Sequence, residues 1–478
     1  MIFDLIIFNG RLVFPDNVFI GGVAVNNGKI EKIFQHKDNL SGIKEIDAKG
    51  SYILPGLIDS HVHFRTPGLT HKETWKTGSQ AAVAGGVTTV LDMPNTSPYT
   101  TSMAQINDKE NNIIGQSLVD FGFHFGVEPK NVSRLNEVDI KSVASVKVFL
   151  TGHHTAKNVI SDQYELDEIF RIAADKNILL TLHAEDETTL NLFRSLQQPP
   201  TNLIDYEKHL PRTAGIIAIG RVLEFVRKHG TQIHVLHVSS AEEAELLELA
   251  SLAGYPVTYE TTPHQLWFNA DESVHLGSRA KLSPAIRKKE DQFRLWNSLI
   301  KGHMTSVGSD HAPHTAEEKN QAFEKCPPGL PGVQEMLPVL VTGLLKNFPS
   351  FTHDEIMCKV ATVLASSPAD LFRIDHIKGR LAEGLDADIV LMDLNNEWKV
   401  KVQDLYGLCR WSAYEGEVLK GKPHMTIRGG QIVYDNGRFG NPDGKMVKFK
   451  GKSFPRFVDL TYSPFHRIYA KASNSIKP

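Results

Sequence analysis

The sequence predicts an α/β fold: a (β/α)8 TIM barrel with a small β-sandwich domain formed by both chain ends. Three observations predict it. Short apolar segments alternate with longer helix-forming ones through the middle of the chain, eight such units can be counted, and several of the apolar segments end in a polar residue. Both ends of the chain, by contrast, carry strand-like pieces separated by turns. With 478 residues and 41% hydrophobic side chains, the chain is long enough for a large core and for more than one domain.

At the start, Leu5-Ile6-Ile7-Phe8, Val23-Ala24-Val25 and Lys29-Ile30-Glu31-Lys32-Ile33 are short runs punctuated by Asn-Gly and Gly-Gly turns. The same texture returns in Ala387-Asp388-Ile389-Val390-Leu391 and in Met425 to Val433. One composite β-sandwich domain is therefore expected from residues 1–55 plus 368–450, with the barrel in 56–367 and a C-terminal tail in 451–478. Barrel strands are expected to end near His63, Asp92, Phe125, Phe149, His183, His237, Glu260 and Ser309. Between them lie helical segments such as Ala241-Glu242-Glu243-Ala244-Glu245-Leu246-Leu247, preceded by Ser240 as a start signal. A doubly wound open sheet is the architectural alternative, and the count of eight with polar strand ends favours the barrel.

Composition narrows the function. Lys and Arg number 52 against 55 Asp and Glu, a formal net charge of -3, so no polybasic face supports nucleic-acid binding. The N-terminal residues lack the charged flank and apolar stretch of a secretory signal, and no apolar run approaches the ~20 residues of a membrane span. Cys326, Cys358 and Cys409 are scattered and form neither a metal knuckle nor a disulfide framework. A cytoplasmic location is the simplest expectation.

The chemistry is carried by histidines. In Pro55-Gly56-Leu57-Ile58-Asp59-Ser60-His61-Val62-His63 the period of two places both imidazoles on one side of a strand, where they can converge on one ion. Taken alone, the pair is equally explained by two hydrogen-bonded histidines in a partly buried strand. Further apolar runs end at His183 and His237, and Val307-Gly308-Ser309-Asp310 delivers a carboxylate at the last strand. A barrel brings all these strand ends around one mouth, which core packing does not explain. Lys147 sits inside the apolar run Val146-Lys147-Val148-Phe149-Leu150. Either it snorkels or pairs as a buried ion, or its amine is carbamylated and becomes an anionic oxygen ligand able to bridge two cations. Imidazole and carboxylate donors suit zinc, and a site with open positions suits catalysis.

The chain resembles the dihydroorotases of the metal-dependent amidohydrolase superfamily, in particular the longer type related to the dihydroorotase part of the multifunctional pyrimidine enzyme. The words that carry the resemblance are Pro55 to Arg65, Gly85-Gly86-Val87-Thr88-Thr89-Val90, Asp92-Met93-Pro94-Asn95-Thr96, Lys147-Val148-Phe149-Leu150, His183-Ala184-Glu185, His237-Val238-Ser239 and Asp310-His311-Ala312-Pro313-His314-Thr315. Pro327-Pro328-Gly329-Leu330-Pro331-Gly332, Gly379-Arg380-Leu381 and Ala387-Asp388-Ile389-Val390 extend it over nearly the whole chain. It implies two divalent metal ions, most simply Zn2+, held by His61, His63, His183, His237 and Asp310, with Lys147 N6-carboxylated as the bridge. It also implies that Arg65, Asn95 and His314 bind the acidic group of a small cyclic amide. The implied reaction is the reversible hydrolysis of (S)-dihydroorotate to N-carbamoyl-L-aspartate in pyrimidine (UMP) biosynthesis, with Asp310 moving the proton. A homodimer and a pyrimidine-pathway enzyme as partner are implied by the resemblance alone.

Three departures bear on the substrate. Ser283 stands in Lys281-Leu282-Ser283-Pro284 where related enzymes present asparagine or arginine, and Thr151-Gly152-His153-His154-Thr155 is an unfamiliar loop after Lys147. Ala184 follows His183 where some bacterial members have cysteine. Thr151, His153, His154, Ser283, Pro328 and Gly329 are therefore candidate substrate-loop or pocket residues. His153 or His154 could contact substrate or a further cation, or face solvent. The enzymatic alternative is an allantoinase or hydantoinase-like cyclic amidase, and the non-enzymatic one an inactive dihydroorotase-like scaffold, against which the full ligand set speaks.

Overall fold

The computed structural model describes residues 2–129, 131–152 and 159–451. His153, His154 and all of the expected tail beyond Gly451 lie outside the described residues. Eight parallel strands form the central body: Leu57–Val62, Val87–Asp92, Asp120–Phe123 continued by Phe125–Gly126, Val146–Phe149, Leu180–His183, Ile233–Val235, Val257–Thr261 and Ser306–Val307. Neighbours pair in parallel in that order, and the break in the third strand is bridged by the His124 N–H donating to Asp92 O at 3.0 Å. Closure of the ring comes from a parallel bridge between Val62 and His311, with the His63 N–H donating to His311 O at 2.9 Å. A barrel, rather than the open doubly wound sheet, is what these pairings make.

The strands are apolar on both faces because helices cover the outside while side chains fill the inside. Val62, Val90, Phe123, Val148, Leu182, Val235 and Val257 join one core with helix residues such as Ile169, Val222, Leu247 and Leu295. Local signals set the helix ends. Ser240 caps helix Ala241–Leu252 in a capping box with Glu243, as its composition predicts, a contact of about 1 kcal/mol. Helix Arg212–His229 ends at Gly230 with φ of 72°, after Arg227, Lys228 and His229 have placed positive charge on the last turn.

Two strands stop earlier than their apolar runs suggest. The sixth ends at Val235 and the eighth at Val307, leaving His237 and Asp310 on the segments that follow. His237 and Asp310 have φ of 38° and 45°, conformations that cannot continue a ladder.

Both chain ends build a second, nine-stranded sheet. Its path runs from Arg438–Phe439 through Gln431–Asp435, Pro423–Arg428 and Ile389–Met392 to Tyr52–Pro55, Ile2–Val13, Val18–Asn26 and Lys29–Phe34, with Ser41–Asp47 also on Ile2–Val13. The two ends meet where Val390 lies antiparallel to Leu54. Leu5, Val23, Ile30, Ile53, Ile389 and Ile427 give this sheet a core of its own. Buried polar contacts join it to the barrel: Lys378 Nζ lies 2.7 Å from both Asp120 and Asp388, and Arg428 donates to Asp120 at 2.9 Å. Among the described residues no helix is long and apolar enough to cross a membrane.

Candidate metal centre

At the C-terminal mouth of the barrel, His61 Nε2 and His63 Nε2 lie 3.3 and 3.2 Å from the same oxygen, Asp310 Oδ1. The donor atoms of these three residues all fall within 4.8 Å of one another. Ligand bonds of about 2.0 Å in a tetrahedral site put neighbouring donors about 3.3 Å apart, so the set has the span of a single ion's ligands. The other ring nitrogen of each histidine is also engaged. His61 Nδ1 lies 2.7 Å from Glu260 Oε1, and His63 Nδ1 2.6 Å from Asn95 Oδ1. Each of the two rings is thus held at both of its nitrogens.

His237 and His183 continue the cluster, with ring centroids 5.4 Å between His61 and His237 and 4.6 Å between His237 and His183. His183 Nε2 meets Glu185 Oε2 at 3.0 Å. His237 Nδ1 is buried and has no hydrogen-bond partner among the described residues, as expected of a nitrogen shaped for a cation. Lys147 is buried on the fourth strand with Nζ 4.5 Å from the centre of the Phe149 ring, and burial pushes its ammonium down to about 7. For Asp310, burial raises the pKa, but the imidazoles of His61, His63 and His237 outweigh it and hold the carboxyl well below its usual range.

Arg65 follows His63 with φ of 58° and is 2% exposed. Its Nε donates to Pro313 O at 3.3 Å, while Nη1 is buried without a partner among the described residues. Three site residues, Arg65, His237 and Asp310, thus hold left-handed backbone, a cost of about 1–3 kcal/mol each. A pocket opens over the cluster. Its polar wall is His61, His63, Arg65, Lys147, His183, His237 and Asp310, and Phe149, Leu282, Ser283, Ala312, Pro328 and Gly329 complete it.

Of the residues singled out in the sequence, Asn95, His314 and Thr151 stand behind this wall. Asn95 supports His63. His314 Nε2 lies 3.1 Å from Pro328 O and its Nδ1 3.1 Å from Lys72 Nζ, so it holds the wall loop. The Thr151 hydroxyl binds the Glu187 carboxylate. Ser283 lines the cavity, but its hydroxyl donates to Glu185 Oε2 at 3.2 Å. Glu260 was missed as a site residue although it stands at a predicted strand end. Sequence spacing alone gives no role to Glu185, two residues from His183, whose partners are His183 and Ser283.

Residues 52–433 match the family model described as Amidohydrolase family. The chain belongs to the amidohydrolase family. This amidohydrolase is 33% identical to a dihydroorotase of Methanosphaera stadtmanae, over 93% of this chain and 99% of the relative. It is 34% identical to an allantoinase of Desulfitobacterium hafniense over the same shares. An L-hydantoinase structure from Arthrobacter aurescens superposes with a TM-score of 0.89 at 27% identity, covering 94% of this chain and 100% of that one. Fold, family and the His61, His63 and Asp310 set together make it a metal-dependent hydrolase.

Proposed function

We propose that this amidohydrolase opens the ring of a small cyclic amide, the reaction class of the allantoinase, hydantoinase and dihydroorotase relatives. The observation that carries the reading is the carboxylate of Asp310, half-buried in the pocket wall and 3.2–3.3 Å from two imidazoles. His61, His63 and Asp310 would hold one cation. His183, His237 and Lys147, carbamylated on Nζ, would hold a second, with zinc the metal that this donor chemistry suits. When bound, the metal lowers the pKa of a water and polarises the amide carbonyl. Asp310, an anion at neutral pH, takes a proton as water adds to the carbonyl carbon. It returns that proton to the amide nitrogen as the C–N bond breaks, leaving a carboxylate and a freed nitrogen. Phe149, Leu282 and Ala312 keep the wall around the ring apolar, so the reacting groups are positioned with little competing water.

A narrower reading, dihydroorotase, is favoured by Arg65. Its buried Nη1 meets no acceptor among the described residues, and a carboxylate on the substrate would supply one in the two-donor geometry that guanidinium prefers. Allantoin and hydantoin have no carboxylate to offer. The test is a ring-opening assay of zinc-loaded protein with dihydroorotate, allantoin and hydantoin side by side. Turnover of at least one is expected. Protein with confirmed zinc content that opens none of the three would sink the cyclic-amidase reading, and turnover of only the neutral rings would sink the narrower one.

A further inference from the structure

The barrel interior just below the metal centre is polar, and its hydrogen bonds have a determinate direction. His124 Nε2 lies 3.0 Å from Ser60 O, which can only accept, so Nε2 carries the proton. His124 Nδ1 must then accept from the Ser145 hydroxyl at 2.7 Å, and Ser145 Oγ is left to accept from Thr181 at 2.8 Å. Beside this chain lies Glu260 on the seventh strand, fully buried. Its Oε1 is 2.7 Å from His61 Nδ1, and its Oε2 is 3.3 Å from Ser60 Oγ and 3.4 Å from His234 Nε2. Thr258 Oγ1 is 2.9 Å from the far nitrogen of His234. A carboxylate only accepts, so His61 carries its proton on Nδ1 and turns the lone pair of Nε2 toward Asp310.

Gly308, on the eighth strand's extension, gives a second and independent observation. A Cβ there would stand 2.9 Å from Glu260 Oε2 and 2.9 Å from His61 Cβ. Real Cβ atoms seldom come so close, so the glycine leaves room for this particular carboxylate–imidazole pair.

We infer that Glu260 is a positioning residue that fixes the metal-binding tautomer of His61, steadied by Ser60, with Gly308 keeping the space open. The inference rests on the metal-dependent reading above. Loss of such a supporting carboxylate typically weakens metal binding by about 10–100-fold.

The test uses the full chain, zinc-loaded and zinc-stripped, with 15N-labelled histidine, the His61 ring being assigned by its loss in His61→Asn. The expected result is a proton on Nδ1 of His61 in both forms. A ring with its proton on Nε2 and none on Nδ1 in the stripped protein overturns the inference without any variant having to fold, whereas protons on both nitrogens, one toward Glu260 and one toward Asp310, support it. Zinc affinity is then measured by chelator competition. Glu260→Leu and Gly308→Ala should each lose roughly tenfold to hundredfold. Glu260→Gln, whose amide oxygen still accepts from Nδ1, should keep most of the affinity and the tautomer. Wild-type affinity in Glu260→Leu, or equal losses in the leucine and glutamine variants, would reduce Glu260 to packing and overturn the inference. Wild-type protein that binds zinc yet opens no ring removes the proposed substrate class and leaves the tautomer result standing.

Discussion

Arg65 is a buried cation with one nitrogen that meets no partner among the described residues, an arrangement that costs free energy until an anion arrives. Burial pushes its pKa down to about 10, still far above neutrality, so the charge stays on. Arg65→Met keeps the stem and removes the donors. A charged hydrogen bond is worth about 1.5–3 kcal/mol, so kcat/KM for dihydroorotate should fall by roughly tenfold to hundredfold while hydantoin turnover changes little. Equal losses on both rings would show that Arg65 is merely part of the wall. Asp310→Asn should leave the fold intact, because asparagine accepts the left-handed φ of 45°, and should reduce turnover by about 10²–10⁴-fold on every ring. Full turnover with normal zinc content would remove Asp310 from the proton path. At this scale the sequence is informative where spacing alone decides, as for His61, His63 and Arg65. It names Asn95 and Ser283 as candidates but not their partners, because Asn95 Oδ1 meets His63 Nδ1 and the Ser283 hydroxyl meets Glu185 only once the barrel has brought those strands together.

The loop carrying Pro328 and Gly329 owes its shape to another element. Lys319, at the end of helix Ala316–Lys319, is buried and donates to Pro327 O at 3.0 Å and Gly329 O at 2.9 Å. Gly329 holds φ of 123°, and a Cβ there would stand 2.8 Å from Ala312 O, so the turn depends on glycine. Lys319→Met frees both carbonyls and should loosen one wall of the cavity. We expect KM to rise about tenfold for each ring substrate with a smaller change in kcat, the pattern of lost uniform binding. An unchanged KM would show that the loop keeps its shape without the lysine. The apolar runs made all eight strands legible as elements, and Ser240 made one helix start legible. Strand ends were less so, since His237 and Asp310 leave the ladder by a backbone twist that no periodicity encodes.

Across its two sheets the molecule is joined by apolar contacts, with Leu54, Val390 and Val433 in the barrel's own core, and by buried charges. Lys378 stands between Asp120 on the barrel and Asp388 beside the terminal sheet, and Arg428 reinforces Asp120. Burial opposes the charge on Asp120, but Lys378 and Arg428 overcome it and hold its carboxyl below the usual range; Asp388 is pushed up, chiefly by burial. Removing the shared cation in Lys378→Met leaves Asp388 without a counter-charge and Asp120 with Arg428 alone, a loss of about 3–5 kcal/mol, or roughly 3–5 °C of melting temperature in a chain this long. A depressed carboxyl stabilises above its unfolded pKa of about 3.9 and loses that contribution as pH falls. The gap in melting temperature between wild type and variant should therefore narrow below about pH 4, and a gap independent of pH would assign the loss to packing instead. That the ends of the chain form one sheet was readable from their shared strand texture, but the charges that dock it were not, because Asp120, Lys378 and Arg428 belong to three separate stretches.

His63 and Asp310 stand 247 positions apart in the chain and 3.2 Å apart in space. They flank the seam where the first strand meets the last, at Val62 and His311. Reaction centre and ring closure are therefore one event, and the entropy of closing so long a loop is met at the place where the donors gather. A nascent or clipped chain ending at Ser309 would carry the residues of all eight strands and most of the helices, yet lack Asp310 and the His311 bridge that closes the ring. Chemistry in this protein is available only to a finished circle.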